Sequence, residues 1–264
     1  MTTRPHPQRW LNAGFVIVVY LLVYLPIALV VLTSFNEATI TTLPIRHYSL
    51  DWYRSLLAND RTMGSLWISL QLGAASAFIA TAVGLSAALA VVRYRFRGRR
   101  LFLALMTLPM VAPGIVLGVS LLISARYVGL KTGFATLLLG HTLLALPYCT
   151  FIVISSLARF DRTLEDAARG LGAGELRVLW RVTLPNIFPG LLGALLFGFT
   201  ISIGEFVVSF FLTSAGITTL PIRIYSIVKV GITPEINAVS TLILAATCIL
   251  TLVAIRLTWS RGKT

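Results

Sequence analysis

LEDAARGLGAGELRVLWRVTLPNIFP, residues 164–189, separates two strongly apolar runs of the chain. The stretch carries too many charges to lie within lipid, and its pattern is too regular for a slack loop. Thr163 and Asp166 fit an N-terminal capping box, in which a hydroxyl and a carboxylate satisfy the first free amides of a helix. The sequence therefore predicts that a short helix begins here, at the membrane surface.

A second helix should follow a run of small residues. Gly170 and Gly172 should end the first helix, and the second, Glu175–Val182, should run until Pro185 stops it. The small side chains between the two helices leave a surface that another protein can approach closely. We call residues 159–187 the docking loop. The alternative is an ordinary connection between helices, although long ordered loops are uncommon without a function.

The docking loop resembles a family motif. Asp166-Ala167-Ala168, Gly172-Ala173 and Leu184-Pro185, at these spacings, are similar to the EAA loop in the membrane subunits of ABC importers. In that family the loop forms a coupling helix that sits in a groove of the cytoplasmic ATPase. The docking residues that the resemblance implies are Glu165, Asp166, Ala167, Ala168, Gly172, Ala173, Leu179 and Pro185. The chain departs from the pattern at Asp166, where Glu is usual, and at Leu179, where Phe is common.

The composition is that of a helical membrane protein. Of 264 residues, 57% are hydrophobic and only 12% are charged, about half the charged fraction of a soluble domain. The net charge of +13 raises the question of nucleic-acid binding. The basic residues, however, cluster in short segments between apolar runs, as they do in the cytoplasmic loops of membrane proteins. We therefore expect contact with membrane lipid and no nucleic-acid partner.

Six apolar runs are long enough to cross a bilayer as helices. They are Phe15–Phe35, Leu66–Val92, Leu101–Ile123, Phe134–Ala158, Phe188–Thr213 and Ala238–Leu257. The expected fold is an all-α integral membrane protein of six transmembrane helices. A single transmembrane domain should occupy residues 1–264, with its core at about 62–257.

The Lys and Arg residues divide unevenly between the two sides of these spans. Fifteen lie on the side of both termini and the docking loop, and seven lie on the other side. Because basic residues favour the cytoplasm, the termini and the docking loop are expected there. No small-residue cleavage site follows Ser34, so the first span is expected to stay uncleaved. The prediction is a multi-pass protein of the bacterial inner membrane.

Two segments on the opposite side have amphipathic patterns. In one, Tyr48, Trp52, Tyr53 and Leu56 suit a helix that lies at the interface. In the other, Pro221 and Pro234 bracket a second short helix. The residues expected to face a solute-delivery protein are Trp52, Tyr53, Arg223 and Tyr225. Sealing the rim of the bundle is the equally open alternative.

The third span contains four helix-breaking residues. Pro109, Pro113, Gly114 and Gly118 cannot form a straight helix, and freed carbonyls at membrane depth must be buried in protein or face water. We therefore place Pro113 and Gly114 along a translocation path. The alternative is a packing kink against a neighbouring helix.

Glu205 is the single acidic residue within an apolar run of the sequence. A carboxylate at membrane depth is expensive unless it is paired or functional, which makes Glu205 and its neighbour Gly204 candidates for the path. In a path the carboxylate would attract a cationic solute. A structural pairing with His141 or with a backbone donor is the alternative.

The sequence gives no support for catalysis or metal binding. Cys149 and Cys248 lie in apolar runs without metal-ligand spacing, and we expect them to be small core residues. No HExxH pattern and no G-x-x-x-x-G-K-[ST] phosphate loop is present. We expect a non-catalytic chain without catalytic residues, metal or cofactor of its own. Energy for active transport must then come from a partner that binds ATP.

The resemblance extends along nearly the whole chain. SFNEATI, WYRSLLAND, RYRFRGRR and LPIRIYSIVKVGITPEINA are similar to the C-type permease subunits of spermidine/putrescine importers. The resemblance implies the type I ABC importer fold. It also implies three kinds of partner: a second related permease, an ATPase dimer, and a periplasmic or lipid-anchored binding protein.

The resemblance also bears on the solute. Polyamine-type relatives tend to carry acids where this chain has Gly114 and Gly204. A polyamine is the leading expectation, and an amino-acid-like compound or a phosphonate is the alternative. A secondary transporter or an intramembrane enzyme using Glu205 and His141 are rival classes. The first leaves the docking loop unexplained, and the second lacks a second acid or an activated nucleophile.

Overall fold

The structure is a computed structural model that describes residues 7–38, 44–230 and 234–261, with side chains over 14–38, 44–229 and 235–249 and at Leu252 and Arg256. Its described elements are helical. In chain order they are α1 (Pro7–Thr33), α2 (Asp51–Ala58), α3 (Asp60–Arg93), α4 (Arg99–Val111), α5 (Gly114–Tyr127), α6 (Phe134–Arg159), α7 (Thr163–Gly170), α8 (Glu175–Val178), a π-helical turn (Leu179–Thr183), α9 (Leu184–Gly204), α10 (Val207–Leu212), α11 (Leu220–Val230) and α12 (Pro234–Arg261).

The described chain divides into two compact units. One takes in residues from 61–223 and 247–264, and the other takes in residues from 1–60 and 224–246. The single domain expected from the sequence therefore stays a prediction.

The larger unit is built on α3, α6 and α9. Their buried side chains form one apolar cluster: Ala80, Ala88, Ala145, Cys149, Val153, Leu157, Ile187 and Ala194. A Cβ added at Gly84 would lie 3.0 Å from Thr150 Oγ1, and one added at Gly198 would lie 2.9 Å from Cys149 Sγ. Small residues thus let these helices approach closely, as helix packing in membranes requires. A second cluster, Leu72, Leu137, Val208 and Leu212, brings α10 against the same helices.

The smaller unit joins the end of α1 to α2 by polar contacts. Ser34 Oγ lies 2.6 Å from Tyr53 Oη, and Trp52 Nε1 donates to the Asn36 carbonyl at 2.9 Å. Asn237 Nδ2, on α12, donates to Thr33 Oγ1 at 3.0 Å. The short amphipathic helix predicted here is confirmed as α2, with Leu56 as its buried residue.

Most of the predicted spans coincide with single helices. Four described helices are long and apolar enough to cross a membrane: 14–33 within α1, then α3, α6 and the continuous run 175–204. The third predicted span is broken, because α4 and α5 meet at a bend of 107° across residues 112–113. The sixth lies within α12, whose side chains are described only in part beyond residue 249.

The fifth predicted span differs from the structure at both ends. The helix begins earlier, in the docking loop, and α9 ends at Gly204 although the apolar run continues to Thr213. Glu205 has extended backbone angles, φ −75° and ψ 113°, and α10 resumes at Val207. A charged residue therefore marks a helix break rather than the middle of a straight span.

Candidate functional site

The docking loop folds as two short helices joined by a glycine turn. α7 ends at Gly170, and Gly172 has φ +85°, which glycine adopts without the strain of a side chain. The Gly172 amide donates to the Arg169 carbonyl at 2.9 Å, and the Ala173 amide donates to the Ala168 carbonyl at 3.1 Å. This pair of bonds is a Schellman motif, which satisfies the last carbonyls of α7. The helix–turn–helix expected from the sequence is confirmed.

The predicted capping box is wrong. Arg162 is the N-cap of α7, and no side chain bonds the free amides from that position. The Asp161 carboxylate instead accepts the Thr163 amide at 3.0 Å, and this bond lowers the pKa of Asp161. Asp166 is engaged elsewhere, in an ion pair with Arg169 at 2.9 Å. The Asp161 carboxylate therefore takes the first amide of α7 in place of the Thr163 and Asp166 side chains of the expected capping box.

The predicted end of the second helix is also wrong. Pro185 lies in the first turn of α9, and the helical run continues through it to Gly204. The preceding π-helical turn, in which the Leu184 amide reaches the Leu179 carbonyl, widens the backbone where the proline ring would otherwise clash. The second half of the docking loop therefore continues as one unbroken helical run into a membrane-spanning helix.

A buried carboxylate anchors α7 to two other elements. Glu165 is only 4% exposed, and its Oε1 forms an ion pair with Arg93 at the end of α3. Thr183, fully buried before α9, donates from Oγ1 to the same oxygen at 2.5 Å. Arg93 Nη2 also donates to Thr183 Oγ1 at 3.0 Å. The three side chains close a ring of hydrogen bonds between α3, α7 and the π-helical turn.

Arg169 links the carboxylates of the docking loop. Its guanidinium lies 2.8 Å from Glu175, 2.9 Å from Asp166 and 3.5 Å from Glu165. The bond from Arg169 lowers the pKa of the exposed Glu175 carboxyl. Since Glu175 begins α8, Arg169 holds the two short helices of the loop together.

A polar cavity of about 380 Å³ lies beside these ion pairs. It is lined by Arg93, Tyr94, Arg162, Glu165, Asp166, Arg169 and Glu175.

The outer face of the docking loop exposes large apolar side chains. Leu171 is 90% exposed, Leu176 is 73% exposed and Trp180 is 67% exposed. The sequence-predicted docking residues divide by burial. Asp166, Ala167, Gly172 and Pro185 are exposed, Ala168, Ala173 and Leu179 are half-buried, and Glu165 is buried. We call Leu171, Leu176 and Trp180 the apolar crest.

The helix break at Glu205 is held by buried hydrogen bonds. The Glu205 carboxylate accepts the Val208 amide at 2.9 Å and so caps α10. His141, only 1% exposed, lies 2.7 Å from Ser202 Oγ through Nδ1 and 2.9 Å from Ser209 Oγ through Nε2. The imidazole therefore bridges the helices on both sides of the break.

The structure brings the two broken spans together. A Cβ added at Gly114, the first residue of α5, would lie 3.4 Å from Val207 on α10. A Cβ added at Gly118 would lie 2.5 Å from Phe211. A Cβ at Gly204 would meet no atom within 4 Å, and Pro113 is exposed. Of the predicted path residues, Gly114 thus packs beside the segment that follows Glu205.

The residues expected to face a delivery protein make contacts within their own units. Trp52 and Tyr53 are half-buried against the end of α1. Arg223 Nε lies 3.5 Å from Thr62 Oγ1. Lys229 Nζ lies over the face of the Tyr225 ring, 4.8 Å from the ring centroid. Their role stays a prediction.

Sequence reasoning missed several residues of the site. Arg93 ends an apolar run 72 positions before Glu165, and no local pattern connects the two. Ser202 and Ser209, which bond His141, lie in an apolar run where no sequence pattern marks them as its partners. The apolar crest could have been found, because Leu171, Leu176 and Trp180 stand among charged residues outside the predicted spans.

Comparison with known proteins identifies relatives over nearly the full length. Residues 80–261 match the family described as binding-protein-dependent transport system inner membrane component. The spermidine/putrescine transport system permease protein PotC of Haemophilus influenzae is 38% identical over 235 residues, covering 89% of this chain and 91% of that protein. The putrescine transport system permease protein PotI of Escherichia coli is 37% identical over 238 residues, covering 88% and 84%.

Solved structures share the fold at low sequence identity. A bacterial ABC transporter involved in the import of the acidic polysaccharide alginate matches with a TM-score of 0.74 and 18% identity, over 97% of this chain and 99% of that chain. The MetNI methionine ABC transporter, in inward-facing conformations, matches with a TM-score of 0.64 and 21% identity, over 76% and 98%. The all-α fold of a type I ABC importer membrane domain, expected from the sequence, is confirmed.

Proposed function

Because this chain belongs to the family of binding-protein-dependent transport system inner membrane components, we propose that its docking loop couples a cytoplasmic ATPase to import of a polyamine. As a member of that family the chain is a permease subunit and a multi-pass inner membrane protein. In the proposed transporter it works with an ATPase, a second permease and a binding protein, and the solute is a polyamine.

The apolar crest is the observation that carries the ATPase assignment. Leu171, Leu176 and Trp180 lie among charged residues at or just before the start of the helical run 175–204, and leaving them in water forfeits the free energy of burial. Exposed apolar side chains with a polar surround are typical of protein interfaces. The chain carries no phosphate-binding loop, so an ATPase seated on the crest would supply the ATP site.

The orientation follows from charge. The excess of Lys and Arg on the side of the docking loop supports a cytoplasmic loop and cytoplasmic termini. In this orientation the segments between the first and second and between the fifth and sixth predicted spans would face the outer side, where a binding protein would deliver the solute. A second, related permease would complete the translocation path.

The solute assignment rests on the relatives and on one carboxylate. Three relatives with 35–38% identity are named for spermidine or putrescine transport. Glu205 lies at a helix break beside the open space at Gly204, where a partly accessible carboxylate would attract a cationic solute. Gly114 and Gly204 supply no further charge, so the second permease would have to provide it.

Uptake by the complete transporter tests the proposal. Proteoliposomes with this chain, its ATPase and its second permease should accumulate putrescine or spermidine when ATP and the binding protein are supplied. Preferential uptake of an amino acid or a phosphonate would retain the subunit assignment and contradict the polyamine. Failure of an ATPase to co-purify with the chain would contradict the coupling itself.

A further inference from the structure

We infer that Arg93, Glu165 and Thr183 form a rigid strut that makes the cytoplasmic end of α3 move together with the docking loop. The inference rests on the proposed function, since it concerns how docking is transmitted to the membrane helices. The three are positioning residues, because the solute would not contact them.

The strut joins three helical elements at one buried carboxylate. Arg93 is the last residue of α3, Glu165 lies in the first turn of α7, and Thr183 immediately precedes α9. Arg93 and Thr183 both donate to Glu165 Oε1, and Arg93 also donates to Thr183 at 3.0 Å. A displacement of α7 therefore pulls on two long helices of the same unit at once.

Burial makes the strut stiff. The Glu165 side chain is 5% exposed and that of Arg93 is 20% exposed, so only a small part of either partner is open to water. Separating the pair would leave the buried Glu165 carboxylate with only the Thr183 hydroxyl and the more distant Arg169, at 3.5 Å, which is more costly than parting an exposed pair. The docking loop and the end of α3 are thus held at a fixed spacing.

A second arginine strengthens the same junction. Arg162, the N-cap of α7, donates from Nη2 to the Val92 carbonyl at 2.8 Å. This carbonyl belongs to the last turn of α3, where a cation is electrostatically favourable. Arg93 therefore reaches from α3 to α7, and Arg162 reaches from α7 back to α3.

In the docking loop, the residues proposed to bind the ATPase differ from those proposed to transmit its movement to the membrane helices. The apolar crest lies on the exposed face, whereas the strut lies on the buried face of the same short helices. Weakening the strut should leave the ATPase bound while loosening the link between its movement and the membrane helices. This separation distinguishes the strut from the docking surface in an experiment.

The test compares solute transported per ATP hydrolysed in the reconstituted, complete transporter. Glu165→Gln keeps the shape of the side chain and removes its charge. Asp60→Asn is the control, because Asp60 is an exposed carboxylate in the first turn of the same α3 but lies outside the docking loop. We expect Glu165→Gln to lower the ratio by about tenfold with ATPase binding retained, and Asp60→Asn to leave it near the wild-type value.

Conservative variants distinguish the strut from a general folding role. Arg93→Lys keeps the charge, but its shorter side chain would have to bring the ammonium to the position of Nη2, the one nitrogen that donates to both partners, so an intermediate ratio is expected. Thr183→Val removes only the hydroxyl and decides the matter if Glu165→Gln fails to fold. A wild-type ratio in Thr183→Val, or in an assembled Glu165→Gln complex, would overturn the strut. A wild-type complex without bound ATPase would contradict the proposed function instead.

Discussion

Replacing Gly172 with aspartate should disable docking while leaving the chain folded. Gly172 has φ +85°, and a Cβ added there would meet no atom within 4 Å. The substitution therefore creates no clash inside the chain. Its local cost is that of a side chain in the left-handed region, about 1 kcal/mol.

The effect on the partner should be larger. A carboxylate placed in the proposed interface would be buried without a partner, which costs about 2–5 kcal/mol. ATPase affinity should then fall by roughly thirtyfold or more, since each 1.4 kcal/mol corresponds to about tenfold. The assay is titration of purified ATPase onto the variant in nanodiscs, together with ATP-driven uptake.

Gly129→Asp is a closely matched control. Gly129 has φ +74°, open space at its Cβ and the same Schellman pattern, with its own amide bonded to Arg126 and the Leu130 amide bonded to Ala125. It follows α5, outside the docking loop, so the variant bears the same backbone strain without altering the loop. Normal ATPase affinity and uptake in Gly172→Asp would contradict docking of the ATPase at this turn. So would an equal loss in both variants, because strain alone would then explain it.

Three further predictions concern the path, the helix break and the topology. Glu205→Gln should reduce polyamine uptake by roughly tenfold to a hundredfold while preserving assembly, and Glu205→Asp should retain more activity. Unchanged uptake in Glu205→Gln would leave the carboxylate without a role in recognition. His141→Ala should lower the free energy of unfolding by about 2–5 kcal/mol, because the buried Ser202 hydroxyl loses the imidazole, Ser209 keeps only its bond to the Glu205 carbonyl, and a cavity is left. Denaturation of the detergent-solubilised chain measures this, and wild-type stability would contradict the bridge across the break. A cysteine at Gly174, with Cys149 and Cys248 replaced, should react with an impermeant reagent only from the cytoplasmic side. Labelling from the periplasmic side would reverse the orientation.

The spans were predictable because lipid imposes a strong constraint on composition. Each apolar run had to be helical because its backbone groups cannot bond water within lipid, and the prolines of the third run predicted its break. The break at Glu205 was not recognised, because the surrounding run is apolar enough to continue as a helix. Pro185 was misinterpreted as a stop, because the π-helical turn that lets the helical run continue through it gives no signal in the sequence.

The docking loop was recognised from local spacing, but its anchoring was not. Gly172 and the small residues beside it predict the turn, because glycine adopts a positive φ without strain. The bond between Arg93 and Glu165 depends on how α3 packs beside α7, which no local pattern specifies. The same holds for His141, whose two serine partners lie 61 and 68 positions away.

We propose that this chain transports a solute only when a docked ATPase hydrolyses ATP. The most direct test is accumulation of radiolabelled putrescine and spermidine in proteoliposomes containing the purified transporter and saturating binding protein. We expect uptake that requires both ATP and the ATPase and is lost in Gly172→Asp. Uptake driven by an ion gradient without the ATPase would contradict it.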